Sequence, residues 1–160
     1  MRTYAIDFET YYDNEYSVKT LGPVAYTLHS KFDAYLVSIA GDDGFEWVGH
    51  PKDAPWNKVD GYTWLSHNAY FDQAVFQRLR VLGIVPEVSP DEWHCTSDMC
   101  RFLQLPASLK DVCIELYDAE LAKDVRAAQS GRSYSGDLFK PDDELLEYAM
   151  EDSRWCLRLW

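Results

Sequence analysis

Thr3-Tyr4-Ala5-Ile6-Asp7-Phe8-Glu9-Thr10 constrains the fold of this chain more than any other stretch. Strand side chains alternate faces with a period of two, so Tyr4, Ile6 and Phe8 share one face and Ala5, Asp7 and Glu9 the other. The apolar set calls for a core strand. The opposite face then carries two carboxylates about 6.5 to 7 Å apart along the backbone. Anions held that close repel each other unless a cation lies between them, and a divalent ion with oxygen ligands is the usual answer. On a solvated edge strand the same triplet would need no partner, so its weight depends on carboxylates that arrive in apolar settings later in the chain.

Two stretches supply them. Ser66-His67-Asn68-Ala69-Tyr70-Phe71-Asp72 reads as a strand end running into a helix, with Asp72 in the first turn, where the helix dipole favours an anion. His67 and Asn68 put two hydrogen-bonding side chains at the mouth of that strand, a common ligand position in α/β folds. Tyr148-Ala149-Met150-Glu151-Asp152 lies in the last predicted helix, where residues four apart share a face, so Tyr148 and Asp152 point the same way. Leu145, Ala149, Cys156 and Leu159 flank them, which sets Asp152 toward the core and leaves Glu151 toward solvent. A buried carboxylate without a partner is costly and finds a cation or keeps its proton.

The chain of 160 residues is the size of one domain and is rich enough in aromatics, at 15%, to fill a core. A formal net charge of -12 argues against holding duplex nucleic acid by broad phosphate neutralisation. Nucleic acid handled locally, through metal ions and stacking contacts, fits that charge. Cys95, Cys100, Cys113 and Cys156 form no CxxC pair, so they read as reduced thiols, and His94 with Cys95 and Cys100 lacks a fourth ligand for zinc. No signal peptide and no membrane-spanning segment is evident, which sets the expectation of a soluble, cytoplasmic protein.

The remaining pattern gives the order of elements. Tyr11 to Gly22 reads as a loop, and Val24 to His29 and Tyr35 to Ala40 as strands. Gly41-Asp42-Asp43-Gly44 turns into a hairpin partner over Phe45 to Val48, Pro51 to Gly61 connects, and Tyr62 to Ser66 is a short strand. From Phe71 the period becomes helical, with Phe71, Val75, Leu79 and Leu82 on one face, and Gly83 to Pro90 ends the helix. Ser97 to Leu103 is a short helix, Ser108 an N-cap for Leu109 to Tyr117, and Ala119 to Lys140 a loop after a short helix. Pro141 opens the last helix, with Asp142, Asp143 and Glu144 in its first turn. Strands followed by helices with further strands interspersed predict a mixed β-sheet flanked by helices, a single α/β domain over residues 1–160.

Asp7-x-Glu9, His67-Asn68-x-x-Phe71-Asp72 and Tyr148-x-x-x-Asp152, in this order, resemble the three exonuclease motifs of the DEDD superfamily, tyrosine subgroup. The stretch from Asp98 to Leu116 resembles the segment between the second and third motifs in the proofreading domains of phage-type family A DNA polymerases. The resemblance implies a ribonuclease H-like fold and a metal-dependent 3′-to-5′ exonuclease acting on single-stranded DNA ends, in proofreading or DNA processing. It implies two divalent ions, Mg2+ or Mn2+, held by Asp7, Glu9, Asp72 and Asp152, with Tyr148 aiming the attacking water. It implies that Thr10, His67, Asn68 and Phe71 contact the terminal nucleotides. The sequence departs from those polymerases in stopping at Trp160 with no polymerase domain, which leaves a DNA polymerase subunit in trans an open possibility rather than an implication. An RNA-directed exonuclease of the ribonuclease D type, a ribonuclease H-type endonuclease and a non-catalytic nucleic-acid-binding subunit are the alternatives.

Overall fold

The computed structural model describes residues 2–119, 124–132, 134 and 141–160. Among the described residues five strands form one sheet: β1 (Thr3–Thr10), β2 (Ala34–Gly41), β3 (Glu46–Gly49), β4 (Thr63–Ser66) and β5 (Trp93–Cys95), in the order β3-β2-β1-β4-β5. β1 runs antiparallel to β2 and parallel to β4, and β4 runs parallel to β5. The helices are α1 (Val18–Leu28), α2 (Ala69–Val81), α3 (Thr96–Phe102), α4 (Leu109–Tyr117), α5 (Asp124–Ala128) and α6 (Asp143–Leu159). The expected mixed sheet flanked by helices is what the chain forms.

The alternation in β1 works as the sequence dictates, but both faces are covered. Tyr4, Ile6 and Phe8 pack with Trp64 of β4 and with Val75, Phe76 and Leu79 of α2, a stripe at helical spacing. On the other face α6 lays Leu145 and Ala149 against Tyr35 and Leu36, and Cys156 against Ala5 and Leu65. Hydroxyl groups fasten this second layer: Ser38 of β2 donates to the Ala149 carbonyl at 2.7 Å, and Ser153 meets Ser38 at 2.6 Å. These groups are fully buried, so each must find a partner inside the protein, and the pairing fixes α6 in register on β2. That register sets where Asp152 emerges.

Several expectations need correction. Val24 to His29 is not a strand, and the predicted loop over Tyr11 to Gly22 is helical from Val18, because the segment forms α1. Ser17 caps it, its Oγ accepting from the Thr20 N–H at 3.2 Å. Gly22, at φ 74°, kinks it, and Pro23 restarts the helix where a missing N–H costs nothing. β-branched and aromatic residues there were outweighed by burial: Tyr26 is fully enclosed and stacks on Tyr16 at 4.5 Å. Strand β5 went unpredicted, being three residues long with a single neighbour, β4. The last helix starts at Asp143 rather than Pro141, since Asp142 is its N-cap and accepts from the Leu145 N–H at 2.9 Å. Leu82 caps α2 and is exposed instead of extending its apolar face.

The hairpin is as expected, with the Gly41 N–H donating to the Phe45 carbonyl at 2.8 Å and Gly44 at φ 81°. Of the loop predicted between Ala119 and Lys140, residues 120–123, 133 and 135–140, Gly136 among them, lie outside the described residues. The helix expected inside it is α5. All four cysteines are free thiols. No helix among the described residues is long and apolar enough to cross a membrane.

Candidate metal centre

The site grows from a split in the sheet. The β1–β4 pairing runs from Thr3–Thr63 to Ala5–Leu65 and then ends, because the chain leaves β1 toward β2 on one side and β4 toward β5 on the other. In open α/β sheets such a switch point at the carboxyl ends of strands is where ligands bind. The backbone groups that the parting strands leave behind are satisfied by side chains. Ser66 donates to the Ile6 carbonyl at 2.7 Å, and the Phe8 N–H donates to Asp72 Oδ1 at 3.3 Å. Asp72 is thereby held against the backbone of the residue that separates Asp7 from Glu9.

Asp7 and Glu9 leave β1 on the α6 side, and Asp152 reaches them from α6. One ligand oxygen from each of the three lies within 4.8 Å of the others. Glu9 is buried, while Asp7 and Asp152 are half-buried. Three hard anionic oxygens drawn together at the border of a core suit Mg2+ or Mn2+ better than a soft-ligand metal. Among the described residues it is the one group of three or more such side chains that could hold an ion. Asp72 stands outside this trio and is 1% exposed. Burial pushes its carboxyl up to about 8, against the pull of the Phe8 N–H, and the charge of Glu9 adds to the rise. A cation beside it would reverse that cost.

Tyr148 packs against the cluster of Tyr35, Leu36, Leu145 and Ala149, one turn before Asp152 on α6. Glu151 faces solvent, as the helical spacing predicts, with 43% of its side chain exposed, and there it accepts from Arg154 Nη1 and Trp155 Nε1, each at 3.2 Å. Thr10 is buried, and its hydroxyl meets that of Tyr26 at 2.7 Å, while Tyr26 donates to the Tyr11 carbonyl at 2.5 Å. Phe71 is half-buried with its ring 6.0 Å from that of Tyr26. Asn68 is exposed at the N-cap of α2 and makes no side-chain cap bond.

His67 is engaged at both ring nitrogens. The Ala107 carbonyl lies 2.9 Å from Nε2 and can only accept, so Nε2 carries the proton and Nδ1 accepts from the Thr96 hydroxyl at 3.0 Å. The ring thus ties the end of β4 to α3 and to the turn before α4. Burial lowers its pKa below the usual histidine value. As pH falls through about 6.5 the unfolded chain takes up a proton that folded His67 resists, so stability drops on acidification. Thermal midpoints measured from pH 7.5 to 5.5 should show this fall. His67→Gln, which keeps a donor for Ala107, should flatten it; an identical slope in the variant would remove His67 as the cause.

Two supports went unread in the sequence. Ser66 bridges β1 and the Trp93 indole, whose Nε1–H donates to its Oγ at 3.1 Å. Tyr26, on a helix mistaken for a strand, braces Thr10. The signal for Ser66 was present in its place beside His67 at a strand end; nothing local marked Tyr26.

No protein-family model and no curated protein sequence matches the chain. Solved structures do. Brucella melitensis NrnC with bound Mg2+ superimposes with a TM-score of 0.61 at 24% identity, over 98% of this chain and 69% of that one. The same protein bound to pGG gives the same figures. The catalytic core of RRP6 from Trypanosoma brucei gives a TM-score of 0.64 at 16% identity, over 98% of this chain and 39% of that one. What these structures share with this chain is the ribonuclease H-like fold.

Proposed function

We propose that the chain is a metal-dependent 3′-to-5′ exonuclease of the DEDD type, tyrosine subgroup, acting on single-stranded DNA ends. The observation that carries the reading is the convergence of Asp7, Glu9 and Asp152 from β1 and α6 within 4.8 Å, with Asp72 behind them on Phe8. The fold it shares with NrnC, one structure of which holds Mg2+ and another pGG, supports it.

Two divalent ions, when bound, relieve charge on the attacking and leaving oxygens of a phosphodiester and lower the pKa of a bound water. Asp7, Glu9 and Asp152 would hold one, and Asp7 and Asp72 would hold the other. Tyr148 has a phenol of reference pKa about 10, too high for a general base at neutral pH, so its part is to orient the attacking water by hydrogen bonding. Asn68 and Phe71 face the terminal nucleotide, and Thr10 and His67 support it through Tyr26, Thr96 and Ala107. A DNA polymerase subunit in trans belongs to the same reading, on the wording of Asp98 to Leu116.

A time course on 5′-labelled single-stranded DNA and RNA, with and without Mg2+ or Mn2+, tests polarity, sugar and metal together. The expected result is a ladder shortening from the 3′ end of DNA only when metal is present. Cleavage of a circular strand, digestion without metal, or digestion of neither polymer would overturn it; preferential digestion of RNA would overturn the choice of DNA.

A further inference from the structure

β2 loses its regular pairing at the level of the carboxylates. Across from β1 it sets Leu36 against Glu9 and Ala34 against Thr10, which leaves Tyr35 as the extra residue of a β-bulge. The bulge breaks the alternation of faces. Ala34 packs in the core on the α2 side, whereas Tyr35 and Leu36, although adjacent, both pack on the α6 side with Leu145, Ala149 and Tyr148. An additional side chain is thereby turned onto the face that carries Asp7, Glu9 and Asp152.

Packing alone at this position would be served by a phenyl ring, yet the residue is a phenol. Tyr35 is 3% exposed, its ring lies 4.6 Å from that of Tyr134, and its hydroxyl is buried with no hydrogen-bond partner among the described residues. Other buried tyrosines use theirs: Tyr16 donates to the Tyr26 carbonyl at 2.8 Å, and Tyr26 to the Tyr11 carbonyl. A buried donor left unmet is costly and calls for an acceptor. Burial, and after it the charge of Glu9, pushes the Tyr35 phenol well above the usual tyrosine value, so the group stays a donor. Glu9 is also the charge that acts on it most strongly. Carboxylates that ligate a metal are themselves held by a hydrogen bond from a further protein group, and a carboxylate has lone pairs enough for both.

We infer that Tyr35 is a positioning residue of the metal centre: its hydroxyl donates to the Glu9 carboxylate when an ion is bound and holds that ligand in place. This rests on the metal-dependent nuclease reading above. Tyr35→Phe keeps the ring and deletes only the hydroxyl. Calorimetric titration with Mn2+ should give a Kd raised about tenfold, while the metal-free melting temperature, with one unmet donor gone, stays at or above that of wild type. On a single-stranded oligonucleotide the Mn2+ concentration for half-maximal rate should rise by the same factor, with most of the turnover restored at saturating Mn2+. Tyr62→Phe, which deletes a hydroxyl on the opposite sheet face beside Tyr4, is the control and leaves the Kd alone. A Tyr35→Phe Kd within about twofold of wild type, or an equal loss in Tyr62→Phe, overturns the inference while wild-type binding and digestion keep the nuclease reading intact. Metal-free Tyr35→Phe melting several degrees below wild type also overturns it, because the hydroxyl then serves the fold. Should wild type bind Mn2+ and digest nothing, the nuclease reading fails instead, and the comparison of Kd values still decides Tyr35.

Discussion

Asp7→Asn is expected to lower nuclease turnover by about a thousandfold, since metal ligation supplies several kcal/mol of transition-state stabilisation. Asp7 sits in the middle of β1, paired across the sheet with Ser38, and is shared between both proposed ions. Asparagine keeps the shape and one acceptor oxygen but removes the anion that holds the cations. Because Asp7 is half-buried and the change is isosteric, the melting temperature of the metal-free protein should move little. The measurement pairs initial rates on a single-stranded oligonucleotide with Mn2+ titration by calorimetry. Loss of rate together with weakened ion binding is the expected pair of results. A variant that retains turnover within a few-fold of wild type would show that Asp7 does not hold the metal.

The placement of the carboxylates was legible in the sequence because each sits on an element whose period is strong. The alternation in β1 put Asp7 and Glu9 on one face, and the 145/149/156 stripe put Asp152 beside the buried face of α6. What spacing could not give is distance: only the register fixed by Ser38, Ala149 and Ser153 decides that Asp152 meets β1 at the level of Asp7 and Glu9. The misread region from Tyr11 to His29 shows the opposite case. Its composition is β-rich, yet the helix exists because Ser17 caps it, Gly22 permits a kink and Tyr26 is buried, and none of these is a periodic signal. β5 escaped because three residues carry too little alternation to stand out.

His67 illustrates a subtler gap between sequence and site. Its position at a strand end marks it as important, but position cannot say whether a side chain faces a ligand or the protein. Bonds to Thr96 and Ala107 occupy both nitrogens, so its contribution to the site passes through the backbone of β4 and the N-terminus of α2. Asn68, next to it, is exposed and makes no cap bond, so of the two it is the one whose side chain the proposed function can assign to a nucleotide.

Asp72→Asn separates stability from function most sharply. The carboxyl is 1% exposed, and burial, with the charge of Glu9 behind it, raises its pKa to about 8. Below about pH 4 the folded and unfolded chains both hold the proton, and the group costs nothing. Between there and pH 8 the unfolded chain gives up its proton while the folded one keeps it, so metal-free stability falls as pH rises. Asparagine retains the Oδ1 acceptor for the Phe8 N–H and cannot ionise. In the absence of metal the variant should therefore melt several degrees above wild type at pH 7, with the gap widening from pH 5 to pH 8. Added Mn2+ should reverse the order, because an ion that binds only the folded state stabilises wild type by about 2.7 kcal/mol at a hundredfold excess over its Kd and the variant by less. Nuclease activity should be lost in the variant at every pH. A metal-free variant that melts below wild type would mean that the Asp72 carboxylate is a structural acceptor in its own right, and that the strain assigned to its burial is absent.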